Sequence, residues 1–177
     1  MKTGKKIAIL VLAISFSSLF FPSLSRSVSC MESLKGLKGV EVLVEELKPE
    51  LEDFNLTMIE VQADVELKLR NAGIGVLSKE DNEKIQPLRK PYLYVKIDSL
   101  KLPWRRASFV FHVEVALKQQ VALSEHPKNF KKPFYAPTWN TNFIGAISGN
   151  NVTDIRDFVK ELMDQFVNDY LKENPKN

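Results

Sequence analysis

Apolar and polar residues alternate at period two in three parts of the chain, the spacing of strands with one dry face. Val40, Val42 and Val44 alternate with Glu41 within residues 39–47, and Pro49 closes that element. Leu93, Val95 and Ile97 alternate with Tyr94, Lys96 and Asp98 within 92–99. Phe109, Phe111, Val113, Val115 and Leu117 alternate with His112 and Glu114; the parity continues to Leu123, which predicts a long strand or one with a bulge near Gln119. Two further strands are predicted from the apolar run 74–77 and from 138–146, where Trp139, Phe143 and Ile144 supply the apolar content.

Helical spacing governs two other stretches. Thr57 with Glu60 three residues later forms a capping box, and Met58, Val61, Val65, Leu69 and Ala72 recur at helical intervals until Gly73. Val61, Ala63, Val65, Leu67 and Leu69 also alternate as a strand would, but the cap, the length and the glycine stop decide for a helix. Residues 78–91 are polar and hold two prolines, which predicts a loop. Near the C-terminus Asn151 or Thr153 is placed to cap a helix whose stripe runs Ile155, Phe158, Val159, Leu162, Met163, Phe166, Val167, Tyr170 and Leu171. Its other face is acidic (Asp154, Asp157, Glu161, Asp164, Asp169, Glu173), which favours a core-facing helix over one lying on anionic lipid. The order is thus β-α-β-β-β-β-α: an α+β fold with a mostly antiparallel sheet of four to five strands and two helices on one face.

Ahead of this pattern, Lys2, Lys5 and Lys6 precede an apolar run from Ile7 to Phe21, 15 residues long and short of the roughly 20 that cross a bilayer as a helix. Residues 1–29 therefore read as a signal peptide, with Ser27 and Ser29 at positions −3 and −1 of a cut before Cys30; a cut after Ser25 is the alternative. Residues 30–177 form a single α+β domain, with 30–38 as a flexible lead-in. The leader also changes the charge picture. The whole chain carries +3, but the leader holds four of the 25 basic residues and no acid, which leaves 21 basic against 22 acidic side chains, a net −1. A nucleic-acid reading based on overall charge loses its footing.

Cys30 is the sole cysteine, so no disulfide within the chain is available, and it would be the first residue after the cut, the position that receives diacylglycerol in a bacterial lipoprotein. Ser27-Val28-Ser29-Cys30 matches the lipobox at its last three positions and carries Ser where the pattern prefers Leu. Cys30 is a lipidation candidate, beside the plainer reading of an exported protein with one unpaired thiol.

The inventory for catalysis is thin. His112 and Glu114 share one strand face but lack the further ligands of a zinc site, and His126 sits in a turn-like Ser124-Glu125-His126-Pro127. No glycine spacing fits a phosphate loop, and the acids Glu45, Glu46, Glu50, Glu52 and Asp53 lack the rhythm of a calcium loop. No catalytic residue, metal or cofactor is assigned.

Two loops carry the binding candidates. Leu102-Pro103-Trp104-Arg105-Arg106 joins the two best strands and places an indole beside two guanidinium groups, residue types enriched at binding hot spots. Phe130 to Pro137 interleaves aromatic and basic residues, with Lys131, Lys132 and Tyr135 as candidates. With the strands from Tyr92 and Phe109 as antiparallel neighbours, the Trp104 tip lies at one end of the sheet. The other end collects Lys84, Arg89, Lys90, Lys128, Lys131 and Lys132, a modest positive field suited to an acidic partner or a lipid headgroup.

The leader, the run Leu34-Lys35-Gly36-Leu37-Lys38-Gly39-Val40, the ending Leu69-Arg70-Asn71-Ala72-Gly73-Ile74, the strand Pro91-Tyr92-Leu93-Tyr94-Val95 and the C-terminal helix resemble the small exported and lipoprotein domains of bacterial envelopes. The layout is similar to the amino-terminal domain of the Tol translocation protein and to lipoproteins that assist lipopolysaccharide assembly. The resemblance implies a non-enzymatic envelope accessory, periplasmic or outer-membrane-associated, that contacts another envelope protein, with a lipid anchor as an option; it carries over no functional residue. The alternative expectation is a carrier of a small apolar ligand or lipid between helices and sheet, motivated by Phe109, Phe111, Phe158 and Phe166.

Overall fold

The alternation within Tyr92–Lys101 (β2) and Ser108–Val121 (β3) sends two rows of side chains to opposite faces of an antiparallel pair, with Leu93 opposite Leu117 and Ile97 opposite Val113. The structure, a computed structural model, describes residues 31–103, 108–122 and 134–175. Glu41–Val44 (β1) runs parallel to β2 on one side, and Phe134–Ser148 (β4) runs antiparallel to β3 on the other, giving the order β1-β2-β3-β4. The fold is α+β, as the pattern predicts, with one parallel pair in a sheet otherwise antiparallel. The run 74–77 contributes only a single parallel bridge, Val40 to Val76, on the far side of β1.

Met58–Asn71 (α2) and Ile155–Glu173 (α4) cover one face of the sheet. The cap and the glycine stop do set α2: Thr57 Oγ1 accepts from the Glu60 amide and donates to its carboxylate, and Val61, Val65 and Leu69 are its buried stripe. At its end the Gly73 amide donates to the Arg70 carbonyl and the Ile74 amide to that of Leu69, a Schellman pattern that requires the positive φ of 74° at Gly73. The alternation through Ala63 and Leu67 is incidental. In α4 Ile155, Val159, Leu162, Met163, Phe166 and Tyr170 of the predicted stripe are buried and Phe158, Val167 and Leu171 are partly buried against the core, but neither Asn151 nor Thr153 caps it; both fall in a 3-10 turn, Gly149–Asp154, that leads into the helix.

Two short helices replace predicted connections. Pro49, read as a strand terminator, opens Pro49–Glu52 (α1), where its missing N–H costs nothing at the first helical position. Lys79–Ile85 (α3) lies within the predicted loop 78–91; Ser78 caps it by accepting from the Asp81 amide at 3.1 Å. Its inward positions are polar. Asn82 donates to the Pro91 carbonyl at 2.8 Å and Gln86 to the Gly39 carbonyl at 3.0 Å, so a search for apolar periodicity passes over it.

Residues 31–38 are not a flexible lead-in. Leu34 and Leu37 are buried, and the Tyr170 hydroxyl donates to the Leu37 carbonyl at 2.7 Å. Asn174, just past α4, accepts from the Gly36 amide and donates to the Leu34 carbonyl. On the sheet side Gln119 donates to the Ser33 carbonyl and Ser33 to that of Thr138.

The core is aromatic on the β4 side. Phe143 stacks on Phe158 with centroids 4.4 Å apart, Phe111 lies 5.3 Å from Phe158, and Trp139 meets Phe166 edge-on at 5.1 Å while donating to the Asp169 carboxylate at 3.1 Å. Gly145 sits opposite Phe111, where a Cβ would lie 2.9 Å from that ring and 2.8 Å from Phe143. Gly145→Ala is therefore expected to lower stability by roughly 1–3 kcal/mol through overpacking, read as a fall in Tm. Across the two long helices Arg156 grips Asp64 through Nε and Nη2, at 2.7 and 3.1 Å. That guanidinium holds the Asp64 carboxyl below its ordinary value, with burial opposing it in part. A depressed carboxyl stabilises the fold fully above its unfolded value, about pH 4, and loses that contribution as pH falls through the lower folded value. Asp64→Asn is expected to flatten the dependence of Tm on pH below about pH 4.

Candidate functional site

Helices cover one face of the sheet, and among the described residues nothing packs on the other. That open face is built from the outward row of each strand, and its two ends differ in chemistry.

At the end where β2 and β4 begin, the face is aromatic and polar. Tyr92 meets Tyr135 at 5.2 Å, Gln120 donates to the Tyr135 hydroxyl at 3.4 Å, and the Lys118 ammonium sits 3.4 Å above the Tyr94 ring. The Tyr94 hydroxyl donates to Glu45, one residue past β1. Burial, reinforced by that carboxylate, pushes the Tyr94 phenol far above its ordinary range, and burial with the neighbouring Tyr135 and Glu41 raises Tyr92. Both phenols therefore favour their neutral form, and that of Tyr94 donates a hydrogen bond to Glu45.

The other end is aliphatic. Leu100 is 66% exposed and Ile144 63% exposed; with Val110 and His112 they line a shallow apolar groove of about 250 Å³. Ala146, also exposed, extends the patch along β4. The register places Val110 opposite both Leu100 and Ala146, and His112 opposite Ile144, so the patch crosses three strands. It ends at the outer edge of β4, with which no described strand pairs. The first part of that edge is blunted by Pro137, by an extra residue at Thr138 where the register shifts, and by Ser33 donating to the Thr138 carbonyl. From Asn140 to Ser148 no such device is present among the described residues.

Of the sequence-derived candidates, Tyr135 is in the aromatic end of the open face, 44% exposed. Cys30, Trp104, Arg105, Arg106, Lys131 and Lys132 lie outside the described residues. The hairpin that carries Trp104 does join neighbouring antiparallel strands, with the Leu102 amide donating to the Ser108 carbonyl at 2.8 Å. His112 and Glu114 share the open face, and among the described residues no group of three or more His, Cys, Asp or Glu side chains could hold a metal ion.

Strand periodicity alone does not reveal the aliphatic patch: it takes in Ile144 as apolar strand content and leaves out Leu100, Val110 and Ala146. Leu100, Val110, Ile144 and Ala146 all sit at outward parity, out of phase with the buried rows, and that phase error is the signal that finds them. No protein-family model matches the chain, and a search of curated proteins finds no match. Ile144→Thr, which keeps the β-branch, is expected to leave stability within about 0.5 kcal/mol of the parent. Phe143→Ala, one residue away on the buried row, is expected to cost roughly 3–5 kcal/mol in denaturant unfolding.

Proposed function

We propose that the protein is an exported, non-catalytic interaction module of a bacterial envelope, one that receives an extended segment of a partner protein along the free half of β4. The observation that carries this reading is the coincidence of an exposed aliphatic patch with an unblunted sheet edge: Leu100, Val110, Ile144 and Ala146 lie beside the stretch 140–148, whose outer side is open among the described residues. An added strand takes its affinity from backbone hydrogen bonds and its specificity from side chains seated on the adjoining face. The groove across Leu100 and Ile144 offers such a seat. Export, with residues 1–29 removed and Cys30 free or acylated, rests on the leader pattern.

The carrier reading finds less support. Its motivating rings fill one another's space: Phe158 contacts Phe111 and Phe143, Phe166 contacts Trp139, and Phe109 meets Phe54 at 5.4 Å. Phe109, Phe111 and Phe166 are at most 1% exposed and pack against other rings.

Placing a photoreactive side chain at Ile144 of the full chain, in its own host's envelope, tests the proposal. Ile59 on α2, 74% exposed and far from the edge, is the control. A discrete protein adduct from position 144 but not from 59, weakened about tenfold by Ala146→Lys, is expected. Equal labelling from both positions, or none from 144, contradicts it.

A further inference from the structure

The end of the molecule where β2 and β4 begin presents an unusual turn. Residues 87–89 follow α3, and hydrogen bonds anchor the turn on both flanks, at Gln86 and at Arg89. The Arg89 and Lys90 amides donate to the Gln86 carbonyl, the Gln120 amide donates to the Arg89 carbonyl, and Gln86 is itself fixed to Gly39 and to the Lys38 amide. The Arg89 guanidinium donates to the Lys35 carbonyl at 2.9 Å. Yet the tip of this rigid turn is Leu88, 85% exposed and the most exposed of the large apolar side chains described, with Ile85 beside it at 51%. A solvent-facing leucine alone is ordinary. One presented by a clamped backbone, in a groove of about 400 Å³ shared with Lys35, Lys38 and Arg89, is a built surface.

Three further observations converge on it. Lys35, Lys38 and Arg89 make no ion pair with a described residue, whereas the nearby Glu83 is taken up by Lys90 at 3.4 Å; exposed Glu32 is the opposing charge. Phe134 and Tyr135, 46% and 44% exposed, lie on the same end, because Gln120 bonds Arg89 on one side and pairs with Tyr135 on the other. And the described residues begin here: Met31 opens a 3-10 turn in which Ser33 donates to the Thr138 carbonyl and the Leu34 carbonyl accepts from Asn174.

We propose that this end is a membrane-seating surface: Leu88 and Ile85 enter the headgroup region of an anionic bilayer while Lys35, Lys38 and Arg89 meet the lipid phosphates. The combination follows from the physics of the interface. Basic side chains are drawn to anionic headgroups, aromatic side chains settle at headgroup depth, and a short apolar tip buries without unfolding anything. The proposal does not depend on the β4 edge, since Leu100 and Ile144 occupy the far ends of the same strands.

Hydrogen exchange of the full chain, reconstituted in vesicles containing phosphatidylglycerol and separately in phosphatidylcholine alone, tests it. Exchange of the amides of 88–90 is expected to slow about tenfold on the anionic vesicles relative to the neutral ones. The triple variant Lys35→Glu, Lys38→Glu, Leu88→Ser is expected to erase that difference while the amides of β3 keep their protection, which shows an intact fold. Equal exchange on both vesicles would overturn the proposal. So would protection confined to 140–148, since that pattern marks contact with protein at the sheet edge.

Discussion

The aromatic layer between α4 and the sheet fixes where every other element can sit. Phe158 stacks on Phe143 and touches Phe111, and this is possible only because residue 145 has no side chain to occupy the space the Phe111 ring needs. About two turns further along the helix, Trp139 packs on Phe166 and gives its indole N–H to Asp169, so a buried carboxylate and a buried indole meet. With α4 held in this position, Tyr170 and Asn174 are aimed at the carbonyls of Leu37 and Leu34, and the segment before β1 closes against them. The order of dependence runs from the rings outward: aromatic layer, helix, N-terminal segment, and through Gln86 and Arg89 the turn at 87–89.

Filling one face so completely leaves the other, among the described residues, with nothing to cover it. The inward rows of β2, β3 and β4 are consumed by α2 and α4, and the outward rows meet water with whatever chemistry they carry. Over most of the face that chemistry is ordinary, as in the Lys96–Asp98 ion pair at 2.9 Å or the tyrosines braced by Lys118 and Glu45. The departures are at opposite ends of the strands. A rigid basic and apolar turn stands where the described residues begin, and an aliphatic patch with an open edge stands where β4 leaves the sheet. On the reading proposed above, a module so arranged would rest one end on a membrane and hold the other, roughly 30 Å away for strands of about nine residues, toward a partner.

Much of this architecture was legible in the sequence because it depends on period and parity. The inward phenylalanines of β3, the Thr57 cap, the Gly73 stop and the stripe of α4 each announce their element through spacing alone. What spacing missed has a common cause. Helix α3 buries Asn82 and is followed by buried Gln86, so its inward face is polar; α1 begins at a proline that also suits a strand end; and the docking of 31–38 is made by carbonyls, which leave no mark in a side-chain pattern. The parallel pairing of β1 with β2 was hidden likewise, since both parallel and antiparallel neighbours bury alternate residues when one face is open. At the candidate surface, Tyr135 was found from composition, whereas Leu100 and Ile144 needed the phase of each strand to be read against its buried row.

The central claim is that the outer side of β4 from Asn140 to Ser148 is unpaired in the isolated chain and is satisfied by a partner. Amide hydrogen exchange along β4, measured on the purified monomer and on the complex extracted from the native envelope, addresses it directly. The account predicts that in the monomer the amides of 140–148 divide into slow ones, bonded to β3, and fast ones facing outward, and that the fast set becomes slow in the complex. A monomer in which every amide of that stretch is already slow would contradict it, because the edge would then be closed from within.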